Sequence, residues 1–114
     1  MKIDQALEIA EKLQTLMLSE VESTQEGILL IRQLDLEAIQ ARATARESFN
    51  ERAGTLEEDL MNAMEAAGQE AKLESTTLQE LRKAYGGRGE TLEQTVRQIQ
   101  SAACLLYTSD AADE

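Results

Sequence analysis

The stretch Leu30-Ile31-Arg32-Gln33-Leu34-Asp35-Leu36-Glu37-Ala38-Ile39 decides the fold. Asp35 is a suitable N-cap because its carboxylate can accept an exposed backbone N–H of a following helix. Glu37 then lies in the first turn, where negative charge interacts favourably with the helix dipole. The stretch therefore predicts a tight corner between two long helices. The alternative, one helix kinked near Asp35, would leave a very long apolar stripe uncovered within the monomer.

A first helix is predicted before this corner, from about residue 4 to 34. Apolar and small residues recur there every three or four positions, which is the spacing of one helix face. They are Ile3, Ala6, Ala10, Leu13, Met17, Val21, Thr24, Ile28, Ile31 and Leu34. The middle of the stripe, residues 19–27, is polar and weaker.

A second helix is predicted from residue 36 to about 67. Its inner face consists of Leu36, Ile39, Ala43, Arg46, Phe49, Ala53, Leu56, Leu60, Met64 and Ala67. Gly54 interrupts the helix without changing the phase of this stripe, so we predict a continuous helix with a weak point. Gly68 is predicted to stop the helix, since glycine is common just after helix ends.

Two shorter helices follow, predicted at residues 77–85 and 91–103. Thr77 and Thr91 each precede a Glu or Gln by three residues, which is typical of a capping box. The glycine-rich sequence at residues 86–89 predicts a flexible turn between them. Together the elements predict an all-α fold in a single helical domain, residues 1–103. Its parts are a long antiparallel helical hairpin, a shorter third helix and a C-terminal amphipathic helix.

The last eleven residues, Cys104-Leu105-Leu106-Tyr107-Thr108-Ser109-Asp110-Ala111-Ala112-Asp113-Glu114, differ in character from the rest. They resemble the in-frame translation of an adaptor used in sequencing libraries. We therefore predict that residues 104–114 are a non-native tail and that the C-terminal helix is truncated. A natural C-terminal tail is the alternative. Because it lies in this tail, the single cysteine, Cys104, is assigned no function.

Composition limits the kinds of partner. The net charge is −11, which argues against binding a phosphate backbone, because that needs clustered Lys and Arg. Aromatic residues make up only 3% of the chain, so a core must consist of aliphatic side chains. We predict no signal peptide at the N-terminus and no apolar run of the roughly 20 residues that a membrane span needs. A cytoplasmic protein without nucleic-acid binding or membrane insertion is expected.

The sequence contains few residues of the types that serve catalysis or metal binding. The sequence has no histidine, which excludes a Ser-His-Asp triad and the usual zinc sites. Glu57-Glu58-Asp59 is interpreted as a solvated helix face rather than a cation site, because neighbouring helical positions point in different directions. Gly86-Gly87-Arg88-Gly89 lacks the Lys-Ser/Thr ending of a phosphate-binding loop. We predict that the protein is not an enzyme and has no cofactor or metal.

Leu92, Val96 and Ile99 form an apolar face on the predicted last helix. One interpretation is a third layer packed on the hairpin. The other is a partner-binding surface that offers this face to a helix of another protein. We predict that these three residues bind a partner. Both interpretations hold if the helix packs on the hairpin at its start and projects beyond the hairpin at its end.

The layout resembles the FlgN-like flagellar export chaperones. The resemblance lies in the acidic first helix with Leu13, Leu16 and Glu20, in the corner at residues 30–39, and in basic residues spaced along the second helix, namely Arg42, Arg46 and Arg52. It covers most of residues 7–103; Gly54 and the irregular stretch from Gly68 to Thr77 depart from the family's pattern.

The resemblance implies a cytoplasmic chaperone. Such a protein binds C-terminal helical segments of hook–filament junction proteins through its last helix and delivers them to the type III export apparatus. It would be a monomer or weak dimer. The rival hypothesis is a structural coiled-coil scaffold or dimerisation module without cargo.

Overall fold

The protein is all-α. A computed structural model describes the backbone of residues 1–112 and the side chains of residues 1–106. Within that part of the chain there are four helices and no strand: α1 (Lys2–Gln33), α2 (Leu36–Glu70), α3 (Leu78–Tyr85) and α4 (Gly87–Ala112). The prediction of an all-α fold is therefore confirmed.

The predicted corner is present at Asp35. Leu34 adopts a left-handed backbone conformation, with φ 56°, which ends α1. Asp35 then caps α2, because its carboxylate accepts a hydrogen bond from the backbone N–H of Ala38 at 3.1 Å. The chain reverses here, so the alternative of one kinked helix is wrong.

The hairpin is antiparallel over its whole length. Near the corner, Arg46 donates a hydrogen bond to the Thr24 hydroxyl at 3.0 Å. At the far end, the backbone N–H of Lys2 donates to the Glu70 carboxylate at 3.0 Å. The molecule is accordingly elongated, with extents of 55 × 21 × 19 Å.

Helix α4 lies parallel to α1 and in constant register with it. Arg88 pairs with Asp4 at 3.3 Å, and the side chains of Gln98 and Gln14 are hydrogen-bonded ten residues further along. Each residue of α4 therefore lies beside the α1 residue numbered about 84 lower. By this register, the end of α4 at residue 112 lies level with Ile28.

The core occupies the end of the molecule remote from the corner. Its buried apolar residues are Ile3, Ala6, Ala10, Leu13 and Met17 of α1, Phe49, Ala53, Leu60, Ala63 and Ala67 of α2, Leu81 of α3, and Leu92, Ile99, Ala102 and Leu106 of α4. The predicted inner faces of the hairpin are thus buried in their remote halves only.

Helix α2 does not stop at Gly68, which corrects the prediction. Gly68 lies inside the helix and is buried, and a Cβ atom there would overlap the hydroxyl of Thr76 in the following loop. The helix instead ends near Lys72, whose φ of 60° lets the N–H of Leu73 reach back to the Gly68 carbonyl at 2.9 Å. Left-handed residues of this kind commonly terminate helices.

The predicted flexible turn at residues 86–89 is also corrected. Only Gly86, with φ 63°, lies between α3 and α4, and α4 begins at Gly87. Thr91 is consequently an interior residue of α4, whereas Thr77 caps α3 as predicted by accepting from the N–H of Glu80 at 3.1 Å. Gly89 lies against the backbone of α3, where a Cβ atom would come within 2.6 Å of the Arg82 Cα.

Helices α2 and α4 both run through positions where the sequence suggests a change. Gly54 lies inside α2, so the predicted continuous helix is confirmed. Helix α4 continues through Cys104 to Ala112, and Leu106 is buried. The origin of residues 104–114 stays a prediction, and residues 113–114 lie outside the described part.

Candidate helix-binding surface

The three residues predicted to bind a partner lie inside the molecule. Leu92 is fully buried, Ile99 is 7% exposed, and Val96 is partly buried against the core. Their apolar face is covered by the packing of α4 against α1 and α3. Partner binding through Leu92, Val96 and Ile99 therefore requires α4 to leave the hairpin.

The covering of the hairpin by α4 ends near the level of Ile28. Between Val21 and Ser48 the structure contains no fully buried residue. Two helices that pack only on each other each bury one side and leave the other side exposed. A helix without further packing is only marginally stable in water. Beyond the level of Ile28, the hairpin presents apolar surface that no described element covers.

The apolar surface is concentrated in the last turns of α1 and the start of α2. We define the distal patch as Ile28, Leu29, Ile31, Leu34 and Leu36, whose side chains are between 45% and 76% exposed. Ile28-Leu29-Leu30-Ile31 spans a full helical turn, so its side chains point in all directions around α1. Helices that are apolar all round are normally buried on every side. The patch thus has the composition of an interface rather than of a solvated surface.

A polar cluster separates the distal patch from the core. Glu20 is only 6% exposed, and its carboxylate pairs with Arg46 at 3.2 Å and with Arg42. The Arg46 guanidinium also lies 5.6 Å from the ring centroid of Phe49, the first buried residue of α2. This cluster fixes the register of the two helices at the boundary between the packed and uncovered halves.

A groove lies beside the core between α1 and α4. It has a volume of about 310 Å³ and lies between α1 and the second half of α4, lined mainly by Leu18, Val21, Ser101, Ala102 and Leu105. The next positions of α1 on the same face, at spacings of four and three, are Gln25 and Ile28. The groove therefore ends about two helical turns before Ile28.

The charges around the distal patch are mostly negative. Glu22, Glu26, Asp35 and Glu37 are exposed, and Arg32 is the single base from residue 22 to 40. Among side chains 1–106, no ion pair engages Glu22, Glu26 or Glu37. The patch is accordingly an apolar surface with an acidic rim.

The described part of the chain shows neither a candidate metal site nor a helix that could span a membrane. In that part of the chain, no group of three or more His, Cys, Asp or Glu residues is arranged to hold a metal ion. None of the described helices is long and apolar enough to cross a bilayer. The acids of the Glu57-Glu58-Asp59 run are exposed on α2.

The distal patch is the feature that sequence reasoning missed. The run Ile28-Leu29-Leu30-Ile31 is apolar at four consecutive positions, and helical phase alone shows that one neighbour cannot cover all four side chains. What the phase does not show is that α3 packs at the opposite end of the molecule and that α4 ends level with Ile28.

The comparisons leave the family open. The chain matches no protein-family model, no curated protein and no solved structure. The FlgN-like resemblance consequently stays a prediction from the residues of the sequence.

Proposed function

We propose that this protein is an export chaperone that binds amphipathic helical segments of flagellar hook–filament junction proteins in the cytoplasm. It would keep those segments from aggregating and release them to the type III export apparatus. The observation that carries the helix-binding part is the exposed distal patch on a hairpin of two long helices. The flagellar part rests on the FlgN-like pattern at residues 30–39.

Helix burial suits a reversible chaperone. Covering a few hundred Å² of apolar surface contributes several kcal/mol at roughly 25 cal/mol per Å², before the cost of ordering the bound segment. Such an interaction is strong enough to protect a segment and weak enough to release it. No nucleophile, metal or cofactor is needed for this activity.

Co-purification tests the proposal. The chain, carrying an affinity tag, is mixed with the C-terminal helical segment of a hook–filament junction protein. We expect retention of that segment and loss of retention when its apolar stripe is replaced by Asp. Equal retention of both segments, or of neither, contradicts the proposal.

A crosslinked variant decides whether Leu92, Val96 and Ile99 take part. Gln14 and Gln98 are in contact, so Gln14→Cys and Gln98→Cys, joined by a short bismaleimide in a Cys104→Ser background, hold α4 on α1. If the cargo binds these three residues, the crosslink abolishes retention, and the same variant without crosslinker retains cargo. If retention survives the crosslink, the prediction of a binding role for the three residues is wrong.

The second candidate is a dimerisation module. The turn Ile28–Ile31, apolar on all sides, would also be buried if two copies paired through their corners. Sedimentation of the unmodified chain separates the two functions. A stable dimer that Ile31→Asp dissociates favours the module, whereas a monomer that retains the cargo segment favours the chaperone.

A further inference from the structure

We infer that the groove between α1 and α4 binds one amphipathic helix that carries basic residues on the flank facing α1. The partner helix lies beside α4, on the outer side of the two helices, and α4 stays in place. This inference rests on the proposed function, because it takes burial of a partner helix as the mode of binding. It adds a second surface, which meets the distal patch only at Leu29, and the charge of the partner.

The groove has an apolar floor and half-exposed aliphatic sides. Val21 and Ala102 line the floor, while Leu18 of α1 and Leu105 of α4 stand at the two sides with 52% and 59% of their surface exposed. Aliphatic side chains of a partner helix would fill the space between the sides and remove both leucines from water. Docking of an apolar helix face into a groove of this kind is a common mode of peptide recognition.

Helix α1 continues the apolar strip beyond the groove. Leu18, Val21, Gln25 and Leu29 follow one another at spacings of three, four and four, which places them on one face of the helix. Leu18 and Leu29 differ by only about 20° around the helix axis and lie about 16 Å apart along it. Both leucines are half-exposed and therefore lie on the side of α1 that α4 leaves open. A partner helix of about four turns thus has room beside α4.

The charge of the partner follows from the acids beside this strip. Glu22 and Glu26 lie one and two turns after Leu18, both are exposed, and among side chains 1–106 no ion pair engages them. Arg97, the base that lines the α4 side, is paired with Glu93 at 2.9 Å. Lys or Arg residues on the α1 side of a docked helix would meet the two acids, and such complementary charges favour the basic partner over an acidic one.

A second copy of this chain fits the groove less well. A symmetric dimer uses the same patch on both subunits, so Glu22 and Glu26 of one copy would face the same acids of the other. The whole chain also carries a net charge of −11. Because like charges in apposition disfavour an interface, charge complementarity selects a basic helix over self-association.

Two synthetic helical peptides test the inference. Both have about 14 residues, or four turns, with Leu on one stripe. One carries Lys and Arg along one flank of the stripe, and the other carries Glu at the same positions. Fluorescence anisotropy with the full chain is expected to show at least about tenfold tighter binding of the basic peptide. The preference should shrink as salt is raised, because exposed charges are screened.

Variants of the chain locate the site. We expect Leu18→Asp with Leu29→Asp to weaken binding of the basic peptide by about tenfold or more. Both residues lie on α1, outside the tail at residues 104–114. Met61→Asp and Ile31→Asp are the controls, because they change exposed apolar residues on α2 and at the corner, and binding should be unchanged. Circular dichroism checks that each variant keeps its helices.

A charge reversal that leaves the apolar residues intact gives a second test. Glu22→Lys with Glu26→Lys is expected to reverse the preference between the two peptides, because both acids are exposed on α1. Hydrogen exchange then shows whether α4 stays in place. Amides of residues 92–103 should exchange no faster when the basic peptide is bound, since a helix that left the hairpin would lose its protection.

Several outcomes would overturn the inference. These are equal affinity for the two peptides, unchanged binding by the Leu18 and Leu29 variant, loss of binding by Ile31→Asp alone, or faster exchange of residues 92–103 in the complex. If the junction-protein segment is retained while neither peptide binds, the inference fails and the chaperone function stands. If the basic peptide binds and the junction-protein segment does not, the groove stands and the flagellar assignment fails.

Discussion

Glu20 shows how one side chain can hold the hairpin in register. Its carboxylate is buried between Arg42 and Arg46, whose side chains are 24% and 19% exposed. Removing the anion leaves two guanidinium groups in a partly desolvated interface, which costs more than losing a surface ion pair. Because water still reaches both arginines, the penalty is smaller than for a fully buried pair.

We therefore expect Glu20→Ala to lower the free energy of unfolding by about 1–3 kcal/mol. Urea denaturation followed by circular dichroism measures the change. Glu22→Ala is the control, because Glu22 is an exposed acid on the same helix, and its effect should stay within about 0.5 kcal/mol. Equal effects of the two substitutions would show that the cluster does not stabilise the hairpin.

Two glycines within helices allow helix propensity and helix packing to be tested separately. Gly54 and Gly89 both lie within helices, where alanine is the better helix former by about 1 kcal/mol. Gly54 has open space around it, whereas a Cβ atom at Gly89 would meet the backbone of α3. The two positions therefore separate helix propensity from close packing between α3 and α4.

Gly54→Ala is expected to raise the free energy of unfolding by about 0.5–1 kcal/mol. Gly89→Ala is expected to lower it by about 1–3 kcal/mol, because α3 and α4 must move apart. Thermal and urea denaturation of both variants measure the difference. Stabilisation by both substitutions would contradict the close approach of α3 and α4.

The helices and two of their N-caps could be predicted from the sequence, but the close contacts between neighbouring segments could not. Spacing and capping are properties of neighbouring residues, so the all-α fold and the caps at Asp35 and Thr77 could be predicted from the sequence. Gly68 was misinterpreted as a helix stop and Gly89 as part of a flexible turn, because the role of both glycines is to let another segment approach closely. That role depends on tertiary distances, which neighbouring residues do not encode.

The site was harder to predict for the same reason. Leu92, Val96 and Ile99 have the spacing of a helix face, and the same spacing describes a core face and a binding face. Ile28 and Ile31 belong to the predicted inner face of α1, yet they are exposed, because α3 packs at the other end of the molecule and α4 ends level with Ile28. Helix periodicity identifies a face but not the element that covers it.

For the molecule as a whole, the uneven burial predicts uneven stability. Amides at residues 22–47 are expected to exchange at least about tenfold faster than those at residues 3–20 and 49–67, because no buried side chain holds the first segment. Hydrogen–deuterium exchange with mass spectrometry measures this. Uniform protection along both long helices would contradict the division of the hairpin into a packed and an uncovered half.

The parallel arrangement of α1 and α4 determines where a label can be attached. Met1 lies at the packed end of the molecule, roughly 40 Å along α1 from the level of Ile28. A fluorophore or fusion protein at the N-terminus is therefore remote from the distal patch. One attached just after α4 lies level with the patch, where it would obstruct a docked helix or, if small, report its arrival by a change in fluorescence.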